Sequence, residues 1–189
     1  MRKLGERAIY VFIDASNLWE AQKAKGRFLD YRGLISIVKE MYQGSSVETF
    51  YYTAYPPDGT RGYSSDGKHK FFQYLKEELG FNVVKKPLKR ILHTDSDGRR
   101  FFLEKGNMDI EMTIDLVRFV DDYDIAVLFT GDSDFLAVLR FLRARGKKAF
   151  IFSSRNNISR ELRTGGDGYV DVLTLPERAW GRQIVRRKK

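Results

Sequence analysis

Apolar residues along this chain fall into short unbroken runs that alternate with stretches of helical spacing. AIYVFID (8–14) is six apolar residues closed by an acid, which predicts a strand buried on both faces. Asp30 stands where a helix N-cap belongs, ahead of YRGLISIVKEMY, where Leu34, Ile35, Val38 and Met41 recur at helical spacing and Gly44 follows the end. VETFYYTAY (47–55) is aromatic and β-branched and predicts a strand, and the turn-rich PPDGTRGYSSDG (56–67) predicts a loop. KHKFFQYLKEELG (68–80) predicts a helix closed by Gly80, and FNVVKKPL (81–88) a strand weakened by Pro87. ILHTDSDGRRFFLE (91–104) reads as a hairpin or a long excursion around an Asp/Gly turn. MDIEMTIDLVRFV (108–120) and SDFLAVLRFLRARG (133–146) predict helices, the second closed by Gly146, while DIAVLFT (124–130) predicts a buried strand and KKAFIFS (147–153) a strand. ISRELRTGG (158–166) predicts a short helix and YVDVLTL (169–175) a last extended piece.

Strands alternating with helices of ten to fifteen residues imply a parallel sheet with helices on both faces, a Rossmann-like three-layer α/β/α sandwich. One domain over residues 1–175 and a basic tail over 176–189 accommodate the pattern. With 189 residues, 42% of them hydrophobic and 14% aromatic, the chain is long and apolar enough to bury a core, so disorder throughout is excluded. The absence of cysteine removes disulfide scaffolds, zinc ribbons, iron–sulfur clusters and thiol nucleophiles together. Two histidines, His69 and His93, make a multi-histidine metal site improbable. The apolar run at the N-terminus is too short for a signal peptide, and no stretch approaches the roughly 20 residues of a spanning helix, so the expectation is a cytoplasmic protein with no membrane partner.

Charge sharpens the picture because it is lopsided. The net charge is +9, and it resides in two segments, +4 over residues 85–105 and +5 over residues 176–189. Concentrated positive charge suits a polyanion, through release of the counterions condensed on phosphates. Its ordinary alternative is a solubilising surface with a solvated tail. Lys85, Lys86, Lys89, Arg90 and Lys105, with Arg186 and Arg187 of the tail, are the candidates for holding a nucleic-acid backbone, and loop aromatics such as Tyr63 for stacking on bases.

In an open parallel sheet, sites form beyond the carboxyl ends of the strands. Asp14 and Asn17 follow the first strand, Asp132 and Asp134 follow AVLFT in GDSD, and Asp109 opens the helix at 108–120. An all-oxygen set of this kind suits a hard divalent cation, Mg²⁺ or Mn²⁺. Any one of these aspartates is equally at home as a helix N-cap; it is the set that points to chemistry. Asp115 lies about 240° around the helix from Asp109, so the two cannot share a face, and Asp115 has the site's rim or Arg118 as its options. GYSSDGKH (62–69) imitates a phosphate-binding loop but carries His69 where Ser or Thr is required. No G-x-S-x-G occurs, which leaves a metal-bound water as the best nucleophile available.

VFIDASN (11–17), KGNMDIEMTIDLVR (105–118), VLFTGDSDFLAVLRFLRARGKK (127–148) and SRELRTGGDGYVDV (159–172), in this order and spacing, resemble the NYN family, also called LabA-like, within the PIN-like nuclease superfold. The resemblance implies a parallel α/β sandwich and hydrolysis of RNA, single-stranded or structured, at an acidic pocket holding Mg²⁺ or Mn²⁺. It assigns both catalysis and metal binding to Asp14, Asp109, Asp132 and Asp134, with Asn17 orienting a ligand or phosphate and Asp115 matching the second acid of the family's helix. Thr130 and Ser133 are candidates for holding those ligands in place. The chain departs from the family in Ala15 and Ser16, where glycine or asparagine is commoner, and in one extra residue between Gly106 and Asp109. The rival reading is a non-catalytic RNA-binding or regulatory module that keeps the fold. Oligomeric state is left open, a homodimer included.

Overall fold

The computed structural model describes residues 7–57, 60 and 66–185. In chain order it runs β1 (Ala8–Asp14), α1 (Ala15–Lys25), β2 (Arg27–Leu29), α2 (Tyr31–Tyr42), β3 (Ser46–Tyr55) and α3 (Asp66–Gln73), which continues as a π-helical turn, Tyr74–Glu78. Then follow β4 (Asn82–Pro87), β5 (Lys89–Thr94), β6 (Arg100–Lys105), α4 (Asp109–Arg118), β7 (Ile125–Phe129), a 3₁₀ turn at Ser133–Phe135 and α5 (Leu136–Ala144). The chain closes with β8 (Lys148–Ser153), α6 (Arg160–Gly165), β9 (Gly168–Asp171), two 3₁₀ turns and β10 (Trp180–Gln183).

Six strands form one parallel sheet in the order β4-β3-β1-β7-β8-β9. All five residues of β7 are buried, as a central strand covered on both faces requires. Side chains alternate along β1. Ile9, Val11 and Ile13 pack with Leu18 of α1 and Leu34 and Val38 of α2, while Phe12 packs against Met112 of α4 and Leu139 of α5. Helices therefore cover both faces, and the three-layer α/β sandwich expected from the alternating pattern is the fold. Pro87 sits at the end of edge strand β4, where its missing N–H removes no interior ladder bond. The hairpin around the Asp/Gly turn forms as β5 and β6 with Arg90 opposite Glu104, and it stands apart from the main sheet.

Three features depart from the expected pattern. Helix α1 was not foreseen, because two of its inward positions are the polar Asn17 and Gln22, which hide its periodicity. Gln22 accepts a hydrogen bond from the Leu29 backbone N–H at 2.9 Å and so braces β2. At the end of α2 the left-handed residue is Gln43 (φ 52°), and Gly44 is needed for a different reason: a Cβ there would lie 2.3 Å from Ile9 Cδ1. The largest correction concerns the tail. Residues 176–183 are attached to the fold through β10, which pairs antiparallel with β2, and through the buried Ala179 and Trp180. Gly33 of α2 makes room for this segment, since a Cβ there would meet the Arg178 carbonyl oxygen. Arg178 pairs with Glu40. Residues 56–65 lie partly, and Tyr63, Arg186 and Arg187 wholly, outside the described residues.

Candidate active site

The carboxyl ends of β1 and β7 lie side by side at the point where the sheet's strand order reverses, the position at which open α/β sheets place their ligands. Asp14 ends β1 and caps α1, its Oδ1 accepting from the Ser16 backbone N–H at 2.9 Å and the Ser16 hydroxyl at 2.8 Å. Asp132 caps the turn after β7, its Oδ1 accepting from the Asp134 N–H at 2.9 Å. The ordinary capping role is therefore real for both. A carboxylate has about four acceptor positions, however, so a cap at one oxygen leaves capacity for a ligand.

The loop carrying Asp132 is held from two sides. Buried Thr130 accepts the Asp132 backbone N–H at its Oγ1, 3.2 Å away, and the Gly131 carbonyl accepts from Ser159 N–H at 3.0 Å. A Cβ at Gly131 would lie 2.1 Å from the Asn157 carbonyl oxygen, so only glycine allows the loop this close to its neighbour. Half-buried Ser133 opens the 3₁₀ turn beside the exposed Asp134.

Asp109 opens α4 from the opposite face of the sheet, its Oδ2 accepting from the Asn107 side-chain amide at 2.6 Å. Asn107 and the buried Met108 occupy the stretch that carries the extra residue. Burial first, and then the negative charges of Asp132, Asp14 and Asp134, push the Asp109 carboxyl up to about 6, against the opposing charge of Lys86. Asp14 is also raised, chiefly by burial, with the Ser16 hydrogen bonds opposing and Asp132 adding to the rise. The four acids thus share one electrostatic field. Asp14, Asn17, Asp132 and Ser133 line an open polar depression of about 610 Å³, and Asp14 and Asp109 line an adjoining cavity.

Sharing a field is not the same as forming a cage. Among the described residues no three histidine or acidic side chains come together as a ready-made cation site. The donor set still fits Mg²⁺ chemistry, because that ion is commonly held by one or two carboxylates with water and phosphate oxygens completing its shell.

Two other candidates are accounted for by packing. Asn17 is buried, and its Oδ1 accepts from Ser153 Oγ at 3.0 Å, tying the start of α1 to the end of β8. Asp115 accepts from the hydroxyl of fully buried Tyr52 at 2.9 Å. Asp115→Ala leaves that hydroxyl unpaired, which costs about 1–3 kcal/mol and lowers the melting temperature by several degrees, whereas Asp115→Asn keeps an acceptor and much of the stability. Thermal melts of the two variants check this.

Among the basic candidates, Lys86 pairs with Glu111 at 2.6 Å. Exposed Lys85 lies over the rings of Tyr55 and Phe72. Lys89 and Lys105 face each other at the base of the hairpin, where Arg90 stacks 4.3 Å over Phe102. Sequence reasoning missed Ser16 and Asn107 as partners of the acids, and also the aromatic wall beside them. The wall draws on α1, β2 and β10, none of which was foreseen.

The NYN domain model matches residues 8–173. A protein named Low amplitude and bright protein LabA, from Synechococcus elongatus, is 34% identical over 163 residues, which covers 86% of this chain and 82% of the relative. A crystal structure of a Vibrio parahaemolyticus protein of unknown function superposes with a TM-score of 0.69 over 95% of this chain and 99% of that one, at 20% identity, and so shares the fold. Among the described residues no helix is long and apolar enough to cross a membrane.

Proposed function

Because the chain belongs to the NYN domain family, whose fold is the PIN-like nuclease fold, we propose that it is a metal-dependent ribonuclease that hydrolyses RNA phosphodiester bonds at Asp14, Asp109, Asp132 and Asp134. The observation that carries this reading is the common field of the four acids at the switch point, expressed in an Asp109 carboxyl near 6. A divalent cation bound there, Mg²⁺ or Mn²⁺, would lower the pKa of a bound water and offset charge on the phosphate. Asp14 and Asp132 are the rigid holders, because each is fixed by its capping bonds and the Asp132 loop is clamped at Gly131. Asp109 is the adjustable one, since a carboxyl near 6 changes charge close to neutral pH. Lys85, Lys89, Arg90 and Lys105 lie on β4 and the hairpin and suit the flanking phosphates.

The test is incubation of the purified protein with end-labelled single-stranded RNA in Mn²⁺ and in EDTA. Cleavage in Mn²⁺ that EDTA abolishes supports the reading. A second reading, a non-catalytic RNA-binding or regulatory module, rests on the basic side chains of β4 and the hairpin, which suit phosphates whether or not a cation binds. Retained binding with no cleavage in Mn²⁺ selects it.

A further inference from the structure

Beside the acidic depression lies a cavity of about 910 Å³ whose character is different. Asp14 and Ser16 line both spaces, and Asp109 stands on the cavity's wall. The rest of that wall carries aromatic rings from six elements, among them Trp19 of α1, Phe28 of β2, Tyr55 of β3, Phe72 of α3 and Tyr74 of the π-helical turn. Trp19 and Tyr74 are each 40% exposed, more than a purely structural ring of this size needs to be. Trp19 lies 6.1 Å from Phe28 with their planes 30° apart, so the two rings present a nearly continuous apolar surface.

Cations stack on these rings at two places, and of the two Arg182 itself lines the cavity. The Arg182 guanidinium of β10, itself on the wall, lies 5.3 Å from the Phe28 ring. Lys85 lies 5.8 Å from the Tyr55 ring and 5.6 Å from the Phe72 ring. A wholly apolar ligand has no use for those charges. A small free anion gains nothing from the rings and is repelled by Asp14 and Asp109. A nucleotide within a strand satisfies both requirements, because its planar base stacks on aromatic faces while the phosphates on either side meet the cations.

We propose that this aromatic cavity receives one unstacked nucleobase next to the cleaved phosphate, so that the substrate class is single-stranded RNA or RNA with an unpaired nucleotide. This rests on the ribonuclease reading for the meaning of "cleaved", but the binding does not. Occupation from within a duplex is disfavoured, since the base must first leave its stack. The shared wall at Asp14 and Ser16 makes base capture and phosphate placement one event: the base fills the aromatic side and its phosphate lies on the acidic side.

The experiment measures binding in EDTA, where no cleavage occurs, by anisotropy of labelled strands and by tryptophan emission. The probes are a single-stranded RNA dodecamer, the same strand in a duplex, and an abasic backbone of equal length and charge. Trp19 is the exposed reporter and Trp180, 5% exposed, the internal reference. The single strand should quench Trp19 emission and bind about 5- to 150-fold more tightly than the abasic backbone, the range expected of one stacked base. Trp19→Ala and Phe28→Ala should each reduce that advantage and leave affinity for the abasic backbone unchanged. Trp19→Phe should keep it. Equal affinity of the wild type for the single strand and the abasic backbone overturns the proposal, as does an advantage that survives undiminished in both alanine variants. Base-dependent binding without cleavage in Mn²⁺ supports the cavity and removes the ribonuclease reading. Cleavage without base-dependent binding does the reverse.

Discussion

Asp132→Asn is expected to lower Mn²⁺-dependent RNA cleavage by at least about 100-fold while the melting temperature stays within a few degrees of wild type, and Asp14→Asn should behave alike. The activity loss follows from removing one anionic oxygen donor from the proposed cation site, since even the partners that merely orient a metal's ligands are worth 10- to 100-fold. The preserved stability follows from capping. Asp132 Oδ1 accepts from the Asp134 N–H and Asp14 Oδ1 from Ser16, and an asparagine carbonyl can accept the same bonds. Asn and Asp are near equals as N-caps. At Asp14 the substitution also removes a charge that burial disfavours. Cleavage and melting of each variant measure the two effects separately. Undiminished cleavage by Asp132→Asn would remove Asp132 from the machinery.

Trp180→Ala should cost about 3–5 kcal/mol, a fall of roughly 6–20 °C in melting temperature for a chain of this size. Trp180 is 5% exposed, its indole N–H donates to the Leu175 carbonyl at 3.3 Å, and Lys25 lies 5.2 Å from its ring. Its strand pairs with Leu29, and the neighbouring Ala179 carbonyl accepts from Asp30 N–H at the cap of α2. Losing the ring therefore loosens β2, the start of α2 and the Phe28 side of the aromatic cavity together. Removing residues 186–189 is a different change. It takes away four positive charges, which should flatten the log–log salt dependence of RNA binding by up to about 3, at roughly 0.7 per phosphate contact. Melting curves and salt titrations tell the two apart. A Trp180→Ala protein that melts with wild type would mean the segment contributes no packing energy.

The contrast between those two changes shows where sequence reading reached its limit. Residues 176–189 look like a tail because half of them are charged, yet the basic side chains inside the packed part have partners: Arg178 pairs with Glu40 and Arg182 stacks on Phe28. Long cationic side chains cover apolar surface while keeping their heads in water, so charge count alone does not separate a tail from an edge strand. The central strands were legible because β1 and β7 are unbroken apolar runs, and the α2 cap because Asp30 has its partner, Gly33 N–H, at the expected spacing. α1 was not, since its buried Asn17 and Gln22 break the apolar stripe on which such readings depend. At the site, Asp14 and Asp132 could be placed from their positions after strands. The nearness of Asp109 could not, because it enters from α4 on the far side of a sheet whose order is not sequential. The partner of Asp115, Tyr52, lies 63 residues away, beyond the reach of any local pattern.

The central claim is that these aspartates form a cation site, and pH supplies a handle on it. The folded Asp109 carboxyl lies near 6 against a reference of 3.8, so without a cation the folded state holds a proton that the unfolded chain releases between those values. A raised pKa of this kind is without penalty below about pH 4, and stability then falls as pH rises towards 6. A cation reverses that trend by binding the deprotonated form. At pH 4.5 proton competition at Asp109 alone weakens binding about 30-fold.

The deciding measurement is a melting series of the wild type and the Asp14→Asn, Asp132→Asn double variant at pH 4.5 and 7.5, with and without Mn²⁺. Mn²⁺ at 100 times its dissociation constant should raise the wild-type melting temperature at pH 7.5 by about 5–11 °C, from 2.7 kcal/mol of linkage, with a much smaller rise at pH 4.5 and none in the double variant. Equal shifts in the two proteins at pH 7.5, or no shift in either, would contradict a cation site built from these acids.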